Sequence, residues 1–362
     1  MHSTSADITK QRLIAQQLSG TSLNTATEMV RWFGAVQAQE YAQTKWGMGL
    51  RLPHLSDASI ENEIMKGAIL RTHLLRPTWH FVTAEDISWL LQLTAPRVEA
   101  INAFMYRKLE LDTAIFYKCN RIILKILNDG KHLTRDEINT AFKKNKIEAN
   151  GLRLSYIMMH AELEGVVCSG KRRGNQFTYT LLEEIIDKSK TCNKEEALAE
   201  LAKRYFQSRG PATVRDFATW SGLTIKECLR AIEMQRSNLE KLVFENNDHY
   251  FLPAQKQAKK TMPGIQLLPI YDEYIMGYKD RSAILEFKNT SAPAHPFYFD
   301  CMIIDKGQII GTWKRTIGQK QVELYYHLFT PFTQKQEKAF NNSIKRFGRF
   351  NELQVVFIPK QD

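Results

Sequence analysis

The chain has 362 residues, of which 43% are apolar and 25% are charged, so its composition argues against a disordered protein and indicates two or three domains with buried cores. Lysine and arginine number 50 against 39 aspartate and glutamate residues, a formal charge of +11. This surplus favours a polyanionic partner such as nucleic acid, although a basic protein without that role has the same composition.

The five cysteines are widely spaced, odd in number and without a CxxC pair, which argues against a disulfide framework and a cysteine-rich zinc site. The nine histidines show no metal-binding spacing, so we expect neither a metal nor another cofactor. The first residues lack a signal-peptide pattern, and no apolar run is long enough to span a membrane. These features predict a cytoplasmic protein without a membrane partner.

Residues 1–110 show a pattern of helices followed by a hairpin. Apolar spacing predicts helices over Ile8–Leu18, Thr25–Val36 and Asp57–Met65. The segment Ile69–Val82 is rich in Thr, Trp, His and Phe with Pro77 near its middle, which predicts two short strands around a turn.

The same order returns in residues 111–190 and, after a polar linker near 187–193, in residues 191–258. The helices predicted in the second unit are Ile115–Leu127, one starting at the capping box of Thr134 and Glu137, and Leu152–Glu164; its strands are Val166–Cys168 and Gln176–Thr180. The third unit has predicted helices at Glu195–Ser208, from Thr213 through Trp220 and from Thr224 through Met234, with strands Leu242–Phe244 and Tyr250–Leu252. The repetition predicts three tandem winged-helix units.

Residues 259–362 differ in character and predict a separate C-terminal α+β domain. Alternating apolar residues and Asp-x-Gly turn chemistry indicate an antiparallel sheet. The predicted strands are Phe297–Ile304, Gln308–Trp313, Val322–Leu328 and Leu353–Ile358, with a helix over Gln334–Arg346. The whole chain is therefore predicted to be α+β and mainly α.

Three short segments are candidates for chemistry or DNA contact. Lys171, Arg172 and Arg173 form a basic hairpin tip, which suits phosphate contact or is an ordinary solvated turn. The hairpin from Arg71 through Arg76 to His80 concentrates cations, histidines and a tryptophan, which fits a site near DNA or a set of core residues. Gln37-Ala38-Gln39 closes the second predicted helix, and by pattern alone these are two ordinary glutamines.

Together these segments resemble the AlkZ-type winged-helix DNA glycosylases. The residues that carry the resemblance are Ala35-Val36-Gln37-Ala38-Gln39, Leu70-Arg71-Thr72, Arg76-Pro77-Thr78-Trp79-His80, Arg209-Gly210-Pro211-Ala212-Thr213, Trp220-Ser221-Gly222-Leu223, Leu268-Pro269-Ile270-Tyr271-Asp272-Glu273-Tyr274, Gly277-Tyr278-Lys279-Asp280-Arg281 and Gly311-Thr312-Trp313-Lys314-Arg315. The family motif is Gln, an apolar residue, then Gln or Asp. Its hairpin often reads Arg-Gly-Thr-Leu-His, so Pro77 and Trp79 depart from it.

The resemblance implies a monofunctional, metal-independent glycosylase that hydrolyses the N-glycosidic bond of N7-alkylated purines, with interstrand crosslinks as further substrates in some members. It implies that Gln37 and Gln39 position the attacking water and that Arg71, Arg76 and His80 lie near the site. Asp272, Asp280 and Arg281 belong to a family landmark, and a buried pair between Asp280 and Arg281 is the favoured interpretation over DNA contact.

We expect a monomer that binds double-stranded, damaged DNA of the nucleoid. The alternative is a non-catalytic winged-helix protein, either a transcriptional regulator or a degenerate relative that binds lesions without cutting, because a fold does not define an activity. Three fused units count against the usual dimeric regulator, whose two-fold symmetry matches a palindromic site.

Overall fold

The computed structural model describes residues 3–186, 192–253, 262–285 and 300–357, and the protein is α+β with helix dominating. In chain order the helices are α1 Ser5–Ala15, α2 Ala26–Phe33, α3 Tyr41–Arg51, α4 Asp57–Met65, α5 Ile87–Lys108, α6 Thr113–Leu127, α7 Arg135–Lys144, α8 Gly151–Leu163, α9 Lys194–Arg209, α10 Val214–Ser221, α11 Ile225–Met234, α12 Glu273–Met276 and α13 Gln334–Asn351. The strands are β1 Val36–Gln37, β2 Ile69–Leu74, β3 Thr78–Thr83, β4 Leu133–Thr134, β5 Val167–Ser169, β6 Thr178–Leu181, β7 Glu240–Phe244, β8 Asn247–Phe251, β9 Gln266–Leu268, β10 Cys301–Asp305, β11 Gln308–Ile317, β12 Gln321–Leu328 and β13 Gln354–Phe357.

Side-chain caps fix where the predicted helices begin. The hydroxyls of Thr134, Thr213 and Thr224 each accept a hydrogen bond from the backbone three residues later, and the acidic residue at that position returns the bond. Each capping box satisfies backbone donors that have no partner inside the helix. The predicted starts of α7, α10 and α11, including the pairing of Thr134 with Glu137, are therefore confirmed.

The sheets are small and follow the predicted hairpins. The first has the order β1-β3-β2, the second β4-β6-β5, and β7 pairs with β8. The C-terminal sheet has the order β13-β12-β11-β10-β9 and is antiparallel except where β13 runs parallel to β12. Of the strand predicted at 297–304, residues 297–299 lie outside the described part, as do residues 187–191 of the predicted linker.

The second helix was predicted to reach Val36, but it ends at Phe33 because Gly34 has a φ of 75° and breaks the helical path. Residues Val36–Gln37 instead form β1, an edge strand beside β3. The prediction also missed α3 and the 22-residue helix α5, which carries Pro96 inside it. No helix in the described ranges is long and apolar enough to cross a membrane.

Two hydrophobic cores pack the N-terminal hairpin against distant parts of the chain. One large apolar cluster joins α2, α3 and Phe81 to the C-terminal sheet and α13, while another joins β2 and α5 to α9, α10 and α11. Ala35 belongs to the second cluster, whereas Val36 and Ala38 belong to the first. The segment that carries Gln37 therefore runs between two cores and is held from both sides.

Candidate active site

Gln37 is held at three atoms by three different parts of the fold. Its backbone NH donates to Glu273 Oε1 (2.8 Å), and its carbonyl accepts from Thr44 Oγ1 (3.0 Å). Its side-chain Oε1 accepts from Arg76 Nη2 (3.0 Å), and only 4% of the residue is exposed. The strand pairing with His80 fixes the backbone further. The amide group is therefore preorganised, as a group that positions a reactant must be.

Gln39 lies two residues later and is exposed. Its Oε1 accepts from the backbone NH of Trp79 (3.3 Å), and the NH of Ala38 between the two glutamines donates to the carbonyl of Trp79 (2.7 Å). The chain thus stays attached to the start of β3 after β1 ends. One amide is buried and fixed, while the second faces solvent from the same segment.

Arg71 holds the backbone of this segment from the far strand of the sheet. Its Nε donates to the carbonyl of Ala38 (3.0 Å) and its Nη2 to that of Gln39 (3.5 Å). The guanidinium lies 4.1 Å from the ring centre of Trp79 and 4.7 Å from that of Phe177. Burial lowers the pKa of Arg71 to about 10, so the group stays charged at neutral pH.

Arg76 sits in the hairpin turn and joins it to the third predicted unit. Its Nη1 donates to the carbonyls of Thr219 and Trp220 at the end of α10, while Nη2 donates to Gln37. Burial lowers the pKa of Arg76 to about 10. Gly222, which caps α10 with a φ of 72°, packs so closely that a Cβ there would lie 2.1 Å from the carbonyl oxygen of Leu75.

His80 is fully buried behind Gln37 and does not supply an acidic proton. Its Nδ1 lies 2.9 Å from the carbonyl oxygen of Thr78, which can only accept, so Nδ1 carries the hydrogen. Burial and then the charge of Arg76 hold the pKa of His80 well below its ordinary value of 6.5. Its Nε2 has no hydrogen-bond partner among the described residues. The imidazole is neutral at physiological pH.

A buried ion pair lies directly under the backbone of Gln37. Glu273 Oε2 accepts from Arg209 Nη2 (2.6 Å) and Nε (3.0 Å) and from Trp220 Nε1 (3.2 Å), while its Oε1 binds the NH of Gln37. Arg209 is fully buried and stacks on the ring of Trp220 at 4.1 Å. One carboxylate therefore links three of the sequence landmarks to the candidate catalytic segment.

The remaining landmark residues have structural contacts. Asp272 makes a buried two-point ion pair with Arg51 (2.8 and 2.9 Å) and caps α12 through the NH of Tyr274. The expectation of a buried pair between Asp280 and Arg281 needs correction, because both residues are only half-buried. Asp280 Oδ1 accepts from the NH of Ser282, and Arg281 Nε donates to the carbonyl of Ile275.

The three cations of the basic hairpin tip, which we call the wing, differ in their surroundings. Arg172 folds inward, where it pairs with Glu61 (3.3 Å) and lies 4.8 Å from the ring centre of Tyr41. Arg173 is exposed and pairs with Glu137. Lys171 is exposed, and no carboxylate lies within ion-pair distance of it in the described residues. Exposed ion pairs contribute little to the stability of a protein, so Arg173 can exchange Glu137 for a phosphate.

The structure brings five predicted site residues together around one three-stranded sheet: Gln37, Gln39, Arg71, Arg76 and His80. Arg172 lies near Arg71, because both guanidiniums contact the ring of Phe177. Four further residues of the site were not predicted from the sequence: Glu273, Arg209, Trp220 and Phe177. The first three stand in the quoted landmarks, which was the available signal. Phe177 had no such signal, because a single aromatic residue in a predicted strand is ordinary.

Comparison with known proteins places this arrangement in a family. The family model described as DNA glycosylase AlkZ-like matches residues 30–350. An interstrand DNA cross-link repair glycosylase of Streptomyces sahachiroi is 25% identical over 318 residues, which cover 84% of this chain and 85% of that protein. The structure of the S. sahachiroi DNA glycosylase AlkZ has the same fold, with a TM-score of 0.79 at 21% identity over 99% of this chain and 100% of that one.

The fold and the match along the chain define a DNA glycosylase, a hydrolase of N-glycosyl bonds that serves DNA repair. The chain belongs to the AlkZ-like DNA glycosylase family.

Proposed function

We propose that this enzyme releases N7-alkylated purines from duplex DNA, with Gln37 and Gln39 positioning the attacking water. The observation that carries the proposal is the chemistry of the side chains around the segment from 37 to 39. They are two amides, two guanidiniums and one imidazole that is held neutral. None of them donates a proton readily at neutral pH, so the site suits a base that leaves without being protonated.

An N7-alkylated guanine is such a base, because it is cationic in the nucleoside and leaves as a neutral molecule. The sugar then develops positive charge, as in other glycosidic hydrolyses. A carbonyl oxygen has two lone pairs, so Gln37 Oε1 can hold a water while it accepts from Arg76. Gln39 offers its exposed amide from the opposite end of the segment. Both oxygens carry the partial negative charge that stabilises the sugar cation.

We further propose that the protein works as a monomer on damaged duplex in the cytoplasm and that its four predicted regions, 1–110, 111–190, 191–258 and 259–362, are three winged-helix units and a C-terminal domain. The repeated hairpins β2–β3, β5–β6 and β7–β8, each preceded by helices, support this arrangement. The S. sahachiroi relative is an interstrand DNA cross-link repair glycosylase, which suggests crosslinked duplex as a second substrate.

Base release from a duplex with N7-methylguanine, compared with an uncharged adduct such as O6-methylguanine, tests the proposal. We expect release of the cationic base and a rate at least about 100-fold lower for the neutral one, since general-acid catalysis contributes roughly 10²–10⁴ and this site supplies none. Equal rates for both would contradict the proposed leaving-group chemistry. Binding to methylated duplex without any release would instead indicate a non-catalytic lesion binder.

We expect the rate of N7-methylguanine release to be independent of pH from about pH 6 to about pH 9. The pKa of His80 is lowered, so the imidazole is neutral throughout this range, and Arg71 and Arg76 have pKa values of about 10 and remain charged. Single-turnover rates at saturating enzyme exclude effects on binding. A tenfold change in rate per pH unit within this range would show that a titrating group takes part.

A further inference from the structure

The third helix of the second predicted unit, α8, is packed inside the protein along most of its length. In a winged helix this helix usually enters the major groove, which requires one exposed face. From Leu154 to Leu163, however, α8 is buried or half-buried against α5, α6 and β2. The unit therefore needs another surface if it is to contact a duplex.

A basic groove of about 640 Å³ between α6 and α7 is such a surface. Isoleucines of α6 form part of its lining. Its walls carry four exposed cations, which are Lys118, Arg121, Lys125 and Lys144. None of the four is within ion-pair distance of a carboxylate in the described residues. The groove thus presents four uncompensated positive charges.

The row on α6 has the spacing to follow a phosphate backbone. Lys118, Arg121 and Lys125 are three and four residues apart, so they share one face of the helix. At a rise of 1.5 Å per residue they span about 10 Å, and a DNA strand presents a phosphate about every 3.4 Å along its axis. Tyr117 is exposed at the same wall, 5.8 Å from the Arg121 guanidinium, where it can lie against a sugar or a base.

The groove is continuous with the candidate active site through the wing. Glu137 lines the groove and pairs with Arg173 of the wing. The neighbouring Arg172 lies against Phe177, whose ring also contacts Arg71, and Arg71 holds the backbone of Gln39. A path of cations and aromatic rings therefore runs from the exposed glutamine to the groove.

We propose that the groove between α6 and α7 binds the phosphate backbone of duplex DNA beside the lesion, with Lys118, Arg121, Lys125 and Lys144 as the contacts. The proposal rests on the proposed function in that its ligand is duplex DNA. The contacts are independent of the base sequence and of the lesion, because they involve only phosphates.

The test compares two triple variants of the full-length protein with the same change in charge. The groove variant is Arg121→Ala, Lys125→Ala and Lys144→Ala; the control is Lys335→Ala, Lys338→Ala and Lys345→Ala on the exposed face of α13. Fluorescence anisotropy gives the Kd for unmodified and N7-methylguanine duplexes over a series of salt concentrations. The slope of log Kd against log salt should fall by about 2.7 for the groove variant, since each lost phosphate contact contributes about 0.9, and should be unchanged for the control.

Single-turnover base release at subsaturating enzyme should fall in the groove variant, because these residues bind the duplex, and should stay at the wild-type rate in the control variant. A wild-type slope in the groove variant, or an equal fall in both variants, overturns the groove proposal while base release by the wild type stands. The converse result, a reduced slope in a protein whose wild type releases no base, supports the groove and contradicts only the proposed function.

Discussion

Replacing Gln37 or Gln39 with alanine should lower the rate of base release by about 100-fold or more, which is the usual loss when a positioned polar group is removed from a reacting centre. Each change removes an amide oxygen from the segment that we propose holds the water. Binding to methylated duplex should stay close to that of the wild type, because the phosphate contacts lie elsewhere. Single-turnover release of N7-methylguanine and anisotropy measure the two effects separately.

The conservative change at Gln39 sharpens this prediction. Gln39→Asp keeps an oxygen that accepts from water and adds negative charge beside the sugar cation, and Asp is the alternative residue at this position of the family motif. We expect Gln39→Asp to retain much more activity than Gln39→Ala. Gln37→Ala has a second consequence, because it leaves Arg76 Nη2 without the acceptor that it has now.

Two other glutamines provide matched controls. Gln235 is buried at the end of α11 and donates to the carbonyl of Ala199, whereas Gln321 is exposed at the start of β12. Alanine at either position should leave base release unchanged. If Gln37→Ala and Gln39→Ala release the base at the wild-type rate while the controls behave as expected, the two glutamines do not hold the water.

The parts of the site that lie close together along the chain could be predicted. The two strands around Pro77 appeared in the sequence as β-branched and aromatic residues flanking a turn, and β2 and β3 confirm them. The cap residues also predicted where α7, α10 and α11 begin. In both cases the physical cause is local, within a few residues.

The support of Gln37 could not be predicted because its cause is not local. Strand β1 has two residues, too few to show any periodicity, and it follows a helix without a break in apolar spacing. Its anchor, Glu273, lies 236 positions further along the chain. Both segments belong to the family resemblance, but only the fold shows that a carboxylate connects them.

Glu273→Gln should reduce the free energy of unfolding by about 3–5 kcal/mol, the usual loss when one partner of a buried ion pair is removed. Arg209 would remain fully buried without a counter-charge, and the new amide hydrogens would face either Arg209 and Trp220 or the NH of Gln37. Urea denaturation measures the change. The surface pair of Glu195 with Arg230 is the control, and Glu195→Gln should cost less than about 1 kcal/mol.

A double variant separates stability from positioning. Replacing both partners with apolar residues, Arg209→Met with Glu273→Leu, should restore part of the lost stability, because it removes the uncompensated buried charge. The restoration is incomplete because the carbonyls of Phe33 and Ala35 lose their donor. Base release should nevertheless stay low, since the NH of Gln37 still lacks its acceptor. If activity instead recovers together with stability, Glu273 acts only by holding the fold, and the orientation of Gln37 depends on Arg76 and Thr44.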